Sequence, residues 1–565
     1  MKIVIDLSGK KSLHFPLFCC IFAFLNFCSF HLKAQHASLT VDSTINVIDG
    51  NIGQYNNLHG GDTIFLKAGN RNKLLIRNFT GYTDSPIIFL NKDGVVFIST
   101  NDYYGISVIN CRYIRISGRS DSSNFYGIQI NKVATGCGIG IGAMSTDVEV
   151  DHVLIENCLT AGIYAKTDPD CTVLTTRDKF TQYNTFIHDN YISHTGNEGM
   201  YIGSSSYAGV TLNCAGKDTF VLPPVLDGVK IYNNIVTNTG WDGIQVSSAV
   251  LHCQVYNNTV LNDSQAEMPN QMSGILLGGG SKCNCNNNLI KDGKGDGIEN
   301  HGLGGNSIFN NIIVNAGRSY LAVDPLQMKH GIFISDVSMM KDSAVTITFN
   351  DIINPKSDGI RFQSVKSRNN IVASNLIVNP GNYYFYPVIN TSFKATDAYI
   401  MLPNAAADVQ MKNNFLTLSL QQAGVSINDY SVLPGSPLIN SGGNDFAVPF
   451  DFNYSRRPVG KLYDVGAIEY NGGADTLRHT FNEAPQLYPS PVQQYLQVKF
   501  LSVQKENISS AIYDAAGKLL LLQTHQITIP GIQQLIINTQ SLPHGWYLLI
   551  LQQGVNIYSN KFIKL

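Results

Sequence analysis

Titratable side chains recur at two fixed positions of a pattern that repeats between residues 148 and 378. In each repeat a glycine is followed by an apolar residue. The residue before the glycine varies between repeats: it is Ala161, Glu198, Asp242, Ser273, Asp296, His330 or Asp358. The residue two places after the glycine also varies, as Tyr164, Tyr201, Gln245, Leu276, Glu299, Phe333 and Arg361. Stacked strands lie about 4.8 Å apart, so each position would form a column, with His301 and Lys329 beside them.

One chemistry that fits these columns is the hydrolysis of a glycosidic bond. Asp242 and Asp296 are two repeats apart, which places their backbones about 9–10 Å apart. An inverting glycosidase needs two carboxyl groups about 6.5–9.5 Å apart, so this pair is compatible with that mechanism. Glu299 or His301 would assist, and the aromatic rings of Tyr164, Tyr201 and Phe333 would stack on sugars.

The other chemistry that fits is elimination from a uronide. A lyase must neutralise the substrate carboxylate, and Ca²⁺ held by Glu198, Asp242 and Asp296 would do so. The base that removes the neighbouring proton would then be one of three residues, Lys329, His330 or Arg361, with a lowered pKa. The sequence leaves hydrolase and lyase open, and it points to no organic cofactor.

A structural explanation competes with both. Asp-Gly is a favoured turn dipeptide because aspartate tolerates tight turns and glycine allows a positive φ. On this interpretation the column of Asp-Gly pairs only marks the corner before each strand.

The spacing of the repeat predicts the fold. An apolar strand that ends in an Asn pair precedes each glycine, and Asn190, Asn234 and Asn288 each lie nine residues before theirs. The distance from glycine to the next such Asn is 14 or 15 residues in three repeats, for example from Gly243 to Asn258. A period of about 23 residues with strands alone indicates an all-β, right-handed parallel β-helix. The Asn pairs would form a hydrogen-bonded ladder at one corner.

The same spacing locates insertions, all of them next to the glycine strand, so loops should wall one side of the solenoid. The two longest insertions contain Cys171 and Cys214, which we expect to be able to form a disulfide. Cys283-Asn-Cys285 is typical of a strand with small buried side chains.

The N-terminal coils, taken together with the solenoid, resemble the pectate-lyase-like β-helix superfamily. The resemblance covers roughly residues 45–400 and includes Gly60-Gly-Asp-Thr-Ile-Phe-Leu66 and Tyr113-Ile-Arg-Ile-Ser-Gly118. It implies the fold and a lyase-like use of Ca²⁺ with a Lys or Arg base on this face. The polygalacturonase motifs Asn-Thr-Asp, Gly-His-Gly and Arg-Ile-Lys are absent, so no named substrate follows.

Two further segments resemble known modules. Leu433-Pro-Gly-Ser-Pro-Leu-Ile-Asn440 and Asp464-Val-Gly-Ala-Ile-Glu469 are similar to the closing segment of choice-of-anchor Q surface proteins, which predicts a C-terminal cap at about 430–472. Alternating strands between Pro and Gly turns, ending in Lys561-Phe-Ile-Lys-Leu565, predict a small β-sandwich at 485–565. That segment resembles the type A sorting domain of the type IX secretion system of Bacteroidota, which implies export and contact with the secretion machinery.

The start of the chain predicts a signal peptide at 1–34, with the β-helix and its cap at 35–480. The alternative is a membrane anchor, but the apolar run from Phe15 to Phe30 is shorter than the ~20 residues of a spanning helix. The 565 residues are 14% charged with a net charge of −2, which excludes a disordered chain or coiled coil and gives no case for nucleic acid.

The resulting hypothesis is a secreted or cell-surface enzyme that acts on a polysaccharide, exported through the periplasm. The alternative is a non-catalytic glycan-binding or adhesive β-helix. A capped solenoid is expected to be a monomer.

Overall fold

The computed structural model describes residues 36–120, 124–320, 328–381, 398–444, 446, 448–472, 486–488, 492–502, 507–514, 518–527, 531–553 and 556–564. The predicted signal peptide, residues 1–34, lies outside these described residues. No helix within the described part of the chain has the length and apolarity needed to cross a membrane.

Each coil contains three strands, as the repeat predicts. In one coil they are Lys230–Tyr232, Ile235–Thr239 and Ile244–Val246. The Asn pair lies between the first and second strands, and the glycine precedes the third. Equivalent strands of successive coils pair in parallel. The chain is therefore a right-handed parallel β-helix over this region, followed by antiparallel C-terminal sheets.

The first two strands of each coil belong to one 23-stranded sheet, called sheet 1 here. Two long strands near the start, Thr63–Arg71 and Ile87–Thr100, run through the corner and occupy both positions. The strands that end before the corner are Ser38–Val41, Arg112–Ser117, Thr146–Asp151, Phe186–His188, Lys230–Tyr232, Cys253–Tyr256, Cys283–Asn286, Ser307–Phe309, Thr346–Thr348, Asn370–Ala373 and Val409–Lys412. Those that follow it are Ile128–Val133, Val153–Cys158, Tyr191–Thr195, Ile235–Thr239, Thr259–Leu261, Leu289–Lys291, Ile312–Val314, Asp351–Ile353, Leu376–Val378 and Phe415–Thr417.

The third strand of each coil belongs to a 12-stranded sheet, called sheet 2, which carries the candidate site. Its strands are Val47–Asp49, Leu74–Arg77, Tyr104–Ile109, Cys137–Gly142, Ile163–Ala165, Met200–Ile202, Ile244–Val246, Ser273–Leu277, Asp296–Asn300, Ile332–Ile334, Ile360–Phe362 and Ile400–Met401. A 3₁₀ helix (Gly53–Asn57) and an α-helix (Leu420–Ala423) are the two short helices of the described chain.

The glycine before each sheet 2 strand is required by packing, not by a turn. A Cβ on Gly243 would lie 2.4 Å from Cγ1 of Val260 and 2.5 Å from the carbonyl oxygen of Gly274. Gly297 has the same environment against Ile313, and none of the seven column glycines has a positive φ. The interpretation of Asp-Gly as a positive-φ turn is therefore wrong. The backbone packs so closely against the next coil here that only a hydrogen fits at this position.

The second Asn of each pair forms the predicted ladder. Nδ2 of Asn234 donates to Oδ1 of Asn258 at 3.0 Å, and Asn258 donates to Asn288 at the same distance. The ladder runs from Asn190 to Asn414, with one side chain per coil, and all of these side chains are buried except that of Asn414. The first residue of the pair turns the chain with a positive φ, 56° at Asn233.

Another Asn row, which the sequence analysis missed, marks the end of the next strand. Asn354 donates to Asn315 at 2.7 Å, and Asn379 donates to Asn354 at 2.9 Å, all three with positive φ. Its signal was the Asn that closes each apolar strand after the pair, as in Val378-Asn379.

Two disulfides brace the solenoid. Cys171 and Cys214 are bonded and join the two longest insertions, as expected. The second insertion forms a hairpin, Val210–Cys214 with Lys217–Val221. The Cys253–Cys283 disulfide was not predicted; these residues are register partners on adjacent coils. Another three-stranded sheet, Thr181–Tyr183, Val225–Asp227 and Ala249–Leu251, lies among the insertions.

The segment predicted as a cap packs along the side of the solenoid. Its apolar residues, such as Leu438 and Val465, form one buried cluster with outward residues of four coils, including Leu289, Ile312 and Leu376. We call this segment, at about 430–472, the strap. Arg457 donates to Glu469 within the strap and to Asn310 of the Asn corner, so it connects the two. These contacts place the strap on a flank of the solenoid, where outward side chains are apolar. They do not show it covering the last coil, as the sequence analysis expected.

The C-terminal region is antiparallel. A three-stranded sheet contains Gln486–Tyr488, Tyr495–Ser502 and Gly531–Asn538. A four-stranded sheet contains Ile508–Asp514, Leu519–His525, Gly545–Gln553 and Asn556–Lys564. Buried residues of both sheets, such as Val498 and Leu549, share one core, which is the arrangement of a small sandwich.

Candidate functional site

Strand pairing on sheet 2 places the variable residues in a continuous outward row. Tyr164 pairs with Tyr201, and Tyr201 pairs with Gln245. The row continues through Leu276, Glu299, Phe333 and Arg361, each paired with the one before it. The residues before the glycines form the neighbouring row, since Ser273 pairs with Asp296. The titratable groups therefore lie along one face of the solenoid.

Glu299 is held ionised at the centre of this face. Its Oε1 lies 2.9 Å from Nε2 of His301, and its Oε2 accepts a hydrogen bond from the Ser273 hydroxyl at 2.7 Å. Burial alone would raise the pKa of Glu299, but His301, Ser273 and the ammonium of Lys329 together lower it. Nδ1 of His301 lies 2.5 Å from the hydroxyl of Ser335, which fixes the imidazole from its other side.

Asp242 has the opposite environment. Its side chain is fully buried, and neither carboxyl oxygen has a hydrogen-bond partner among the described residues. Burial, followed by the nearby charges of Glu299, Glu198 and Asp263, raises the pKa of Asp242 well above its usual value. The backbone amide of Ser273 lowers the pKa and offsets only part of this. The environment of Asp242 therefore favours the protonated form of its carboxyl group.

Asp296 is occupied by a cation and a backbone amide. Its Oδ2 lies 3.3 Å from Nζ of Lys329, and its Oδ1 accepts a hydrogen bond from the backbone N–H of His330 at 2.5 Å. Burial would lower the pKa of Lys329, but Asp296, Glu299 and Asp242 reverse the effect and raise it. Lys329 is thus a fixed ammonium ion.

Glu198 lies one coil before Asp242 and is also deeply buried. Burial raises its pKa to about 7, and Lys166 lowers it in part. Its Oε2 is unpartnered within the described structure, as is the amide oxygen of Gln245. The face therefore contains a set of buried oxygens that no donor among the described residues satisfies.

The far end of the face is closed by an ion pair and a hydrogen bond. Nη1 of Arg361 donates to Asp358 at 3.0 Å, and Nδ1 of His330 accepts a hydrogen bond from the backbone N–H of Asp358 at 3.2 Å. The ring of Phe333 contacts the imidazoles of both His330 and His301, at 5.6 and 6.3 Å between centroids.

The near end of the face is an open groove of about 470 Å³. Tyr164 and Tyr201 meet edge to face with centroids 5.4 Å apart, and Nζ of Lys166 lies 5.0 Å from the Tyr201 centroid. Ser107 and Gly140 occupy the same row on the two preceding coils, so no large side chain fills the floor there.

The structure brings most of the predicted site residues together, but it does not gather the three predicted calcium ligands. Asp242 and Asp296 are separated by the coil of Ser273, and Asp296 is engaged by Lys329. Glu198, Asp242 and Asp296 are thus not a single cluster of ligand atoms, because the columns follow the solenoid axis.

The residues whose ligand atoms do lie within 4.8 Å of one another, among those described, are Glu149, Asp151 and His188 on sheet 1. Nε of Arg115 lies 3.1 Å from Glu149 and 2.7 Å from Asp151. A guanidinium therefore already balances these carboxylates.

Sequence reasoning missed four residues that shape the site. Ser273 was placed in its column without a role, and Ser335, Asp263 and Lys166 were not singled out. Asp263 lies outside the glycine columns, so the repeat gave no signal for it. Ser335 and Lys166 each follow their glycine by four residues, as His301 does, and this spacing was the available signal.

Two parts of the chain match family models. Residues 226–417 match the right-handed β-helix region, and residues 486–565 match the secretion system C-terminal sorting domain. The sorting domain indicates export by the type IX secretion system to the cell surface or beyond it, and contact with that machinery. A comparison with curated proteins gives no match.

Several crystal structures are similar over much of their length. One of pectate lyase Pel9A is 12% identical, with a TM-score of 0.42, covering 76% of this chain and 97% of that one. One of an alginate lyase from a Paenibacillus species is 15% identical, with a TM-score of 0.35, covering 58% and 98%. One of a lacto-N-biosidase from Eubacterium ramulus is 12% identical, with a TM-score of 0.42, covering 68% of each chain.

Proposed function

We propose that this protein hydrolyses a polysaccharide on the outer face of sheet 2, with Asp242 as the general acid and Glu299 as the general base. The observation that carries the proposal is that these two carboxyl groups share one face while their environments move their pKa values in opposite directions. Pairs displaced in this way are how a site holds an acid and a base at one pH.

The spacing favours an inverting mechanism. The coils of Asp242 and Glu299 are separated by two strand spacings, about 9.6 Å along the axis. Inverting glycosidases separate their carboxyl groups by about 6.5–9.5 Å to admit a water molecule, and retaining ones by about 5–5.5 Å. Glu299 would activate the water while Asp242 protonates the leaving oxygen. This assignment replaces Asp296, which Lys329 and His330 already engage.

Elimination is less well supported. A base must be unprotonated, but Lys329 has a raised pKa and is paired with Asp296. Arg361 is paired with Asp358 and His330 also contacts that carboxylate. The three predicted lyase bases are thus engaged.

The unsatisfied acceptors suit a sugar. Oxygen atoms of Glu198, Asp242 and Gln245 are buried without partners in the described structure. A buried acceptor without a donor costs about 1–3 kcal/mol. Sugar hydroxyl groups are donors, so a bound glycan would satisfy these oxygens. Ca²⁺ is the other species that such oxygens bind, so activity should be compared in the presence of Ca²⁺ and of a chelator.

A non-catalytic glycan-binding protein is the second candidate. Asp242 has 0% exposed surface, so a sugar reaches it only if the neighbouring loops move. A glycan held by Tyr164, Tyr201 and Phe333 has no need to reach it.

The test is to incubate the full chain with acidic and neutral polysaccharides, with Ca²⁺ or with a chelator. New reducing ends without the ultraviolet absorbance of an unsaturated uronide support hydrolysis, and their loss in Asp242→Asn and Glu299→Gln supports the assigned roles. Asp227→Asn, in the three-stranded sheet that lies among the insertions, is the matched control. Products with that absorbance would contradict the proposal in favour of a lyase. Retention on a glycan without cleavage would favour the binding protein.

A further inference from the structure

We infer that the groove formed by Tyr164, Lys166 and Tyr201 is a recognition subsite for a sugar unit that carries an anionic group, and that Asp168 competes with that group for Lys166. The inference rests on the proposed function, since it takes a glycan as the ligand. It concerns which sugar is held beside the acid and base.

The groove has the shape for a sugar ring. The edge-to-face pair of Tyr164 and Tyr201 forms a step, and the floor beside it is made by Ser107 and Gly140. A Cβ on Gly140 would contact only the sulfur of Cys137, at 3.6 Å, so there is open space above the strand. A glycine within a strand often marks close approach of a ligand, and aromatic side chains offer apolar faces to the C–H face of a sugar.

The groove continues directly into the acidic row. Tyr201 pairs with Gln245, which lies on the coil of Asp242. Glu198, on the coil of Tyr201, is electrostatically coupled to both Tyr164 and Lys166. A glycan that follows the row would therefore place one unit on the tyrosines and the next toward Asp242.

Lys166 supplies the charge. Its ammonium lies over the Tyr201 ring, and its side chain is 25% exposed. Oδ1 of Asp168 lies 3.0 Å from this ammonium, although the Asp168 side chain is 65% exposed. An exposed ion pair of this kind is worth about 0–1 kcal/mol, so a ligand anion can displace it. The carboxylate of Asp168 therefore lies where the anionic group of a uronate or a sulfated sugar would bind.

The experiment measures binding to the full chain carrying Asp242→Asn, so that bound glycan is not consumed. The probes are an oligogalacturonate with its methyl ester, and a sulfated galactan oligosaccharide with its desulfated form. Within each pair the sugar backbone is the same, and the anionic group is either esterified or removed. We expect at least one anionic form to bind more tightly than its neutral form.

The variants test the residues. Lys166→Gln should weaken binding of the anionic form about tenfold, as expected for loss of a charge-assisted contact. Asp168→Asn should strengthen it a few-fold by removing the competitor, and neither should affect the neutral form. Lys230→Gln is the matched control, since Nζ of Lys230 lies 5.1 Å from the Phe186 centroid on sheet 1.

The inference would be overturned if both forms of every pair bind equally well. It would also be overturned if Lys166→Gln and Asp168→Asn bind the probes as Lys230→Gln does. The two failures are distinguishable. If the groove variants have no effect while Asp242→Asn abolishes cleavage, the inference fails and the proposed function stands. If the charge preference holds but the unmodified chain cleaves nothing, hydrolysis fails and the subsite stands.

Discussion

Nε2 of His301 lies 2.9 Å from Oε1 of Glu299, in one strand register with the outward row of sheet 2. The two side chains point to the same face because Glu299 and His301 are two positions apart at the end of the strand Asp296–Asn300. Ser335, on the next coil, contacts the other ring nitrogen. The imidazole is therefore fixed between two coils, and it determines the protonation of the carboxylate that we assign as the base.

We predict that His301→Ala moves the acidic limb of the pH–activity profile to higher pH. Burial raises the pKa of Glu299, and His301 is the main group that reverses this, so its removal leaves the effect of burial. Activity requires ionised Glu299, and the limb follows its pKa. Ser335→Ala should shift the limb less, in the same direction. His252→Ala, an exposed histidine paired with Asp227, is the control. An unchanged limb in His301→Ala would contradict the role of Glu299.

Asp242→Asn should abolish cleavage without loss of stability. Removing a general acid lowers the rate by about 10²–10⁴-fold. The folded chain holds Asp242 protonated while the unfolded chain ionises it, so this residue costs folding free energy at neutral pH. The amide has no such cost, and thermal melts at neutral pH should show an equal or higher Tm. A lower Tm with normal turnover would make Asp242 a structural residue.

The sequence predicted the fold well because a solenoid repeats its constraints. Each coil must place an Asn at one corner and a glycine at another, so the period is visible in the positions of Asn234 and Gly243. The reason for the glycine was not visible. In a sequence, a glycine required for a positive-φ turn looks the same as one required because a Cβ would clash with the methyl group of Val260 on the next coil.

The sequence predicts which residues lie in the outward row, but not which of their carboxyl groups are protonated. Spacing gives columns, which is why Glu299 and Asp242 were found. Which carboxyl is protonated depends on side chains that cross between coils, such as Ser273 to Glu299 and Lys329 to Asp296. Those contacts depend on rotamers and on insertions that have no period, so Asp168 and Asp263 gave no signal.

Glu198 should make stability fall between about pH 4.5 and 7. Burial raises its folded pKa from 4.5 to about 7, so the folded chain binds the proton more tightly. The free energy of unfolding therefore declines as pH rises through this window, by up to about 3 kcal/mol for this one group. Urea unfolding of Glu198→Gln across the window should show a smaller decline. Glu156→Gln, half-buried on sheet 1, should retain the full decline.

Asn258→Ala should destabilise the solenoid more than a surface substitution on the same sheet. Asn258 donates to Asn288 and to Ile231, and it accepts from Asn234. Its removal leaves buried groups unpaired, at about 2–4 kcal/mol. Asn284→Ala, exposed on the strand Cys283–Asn286, should change stability by less than about 0.5 kcal/mol. Equal denaturation midpoints for the two variants would show that the ladder does not stabilise the fold.

Arg457 and Glu469 should hold the strap only as a pair. Both side chains are fully buried, with Nε of Arg457 2.9 Å from Oε2 of Glu469. Arg457→Met leaves a buried carboxylate uncompensated and should cost about 3–5 kcal/mol. Adding Glu469→Gln removes that charge, so the double variant should regain part of the loss, because replacing a whole buried pair costs less than breaking it. The measurement is a double-mutant cycle by urea unfolding, with protease cleavage within 430–472 as a local readout. Additive losses would show that the strap is held by its apolar contacts with Leu376 and its neighbours, and not by this pair.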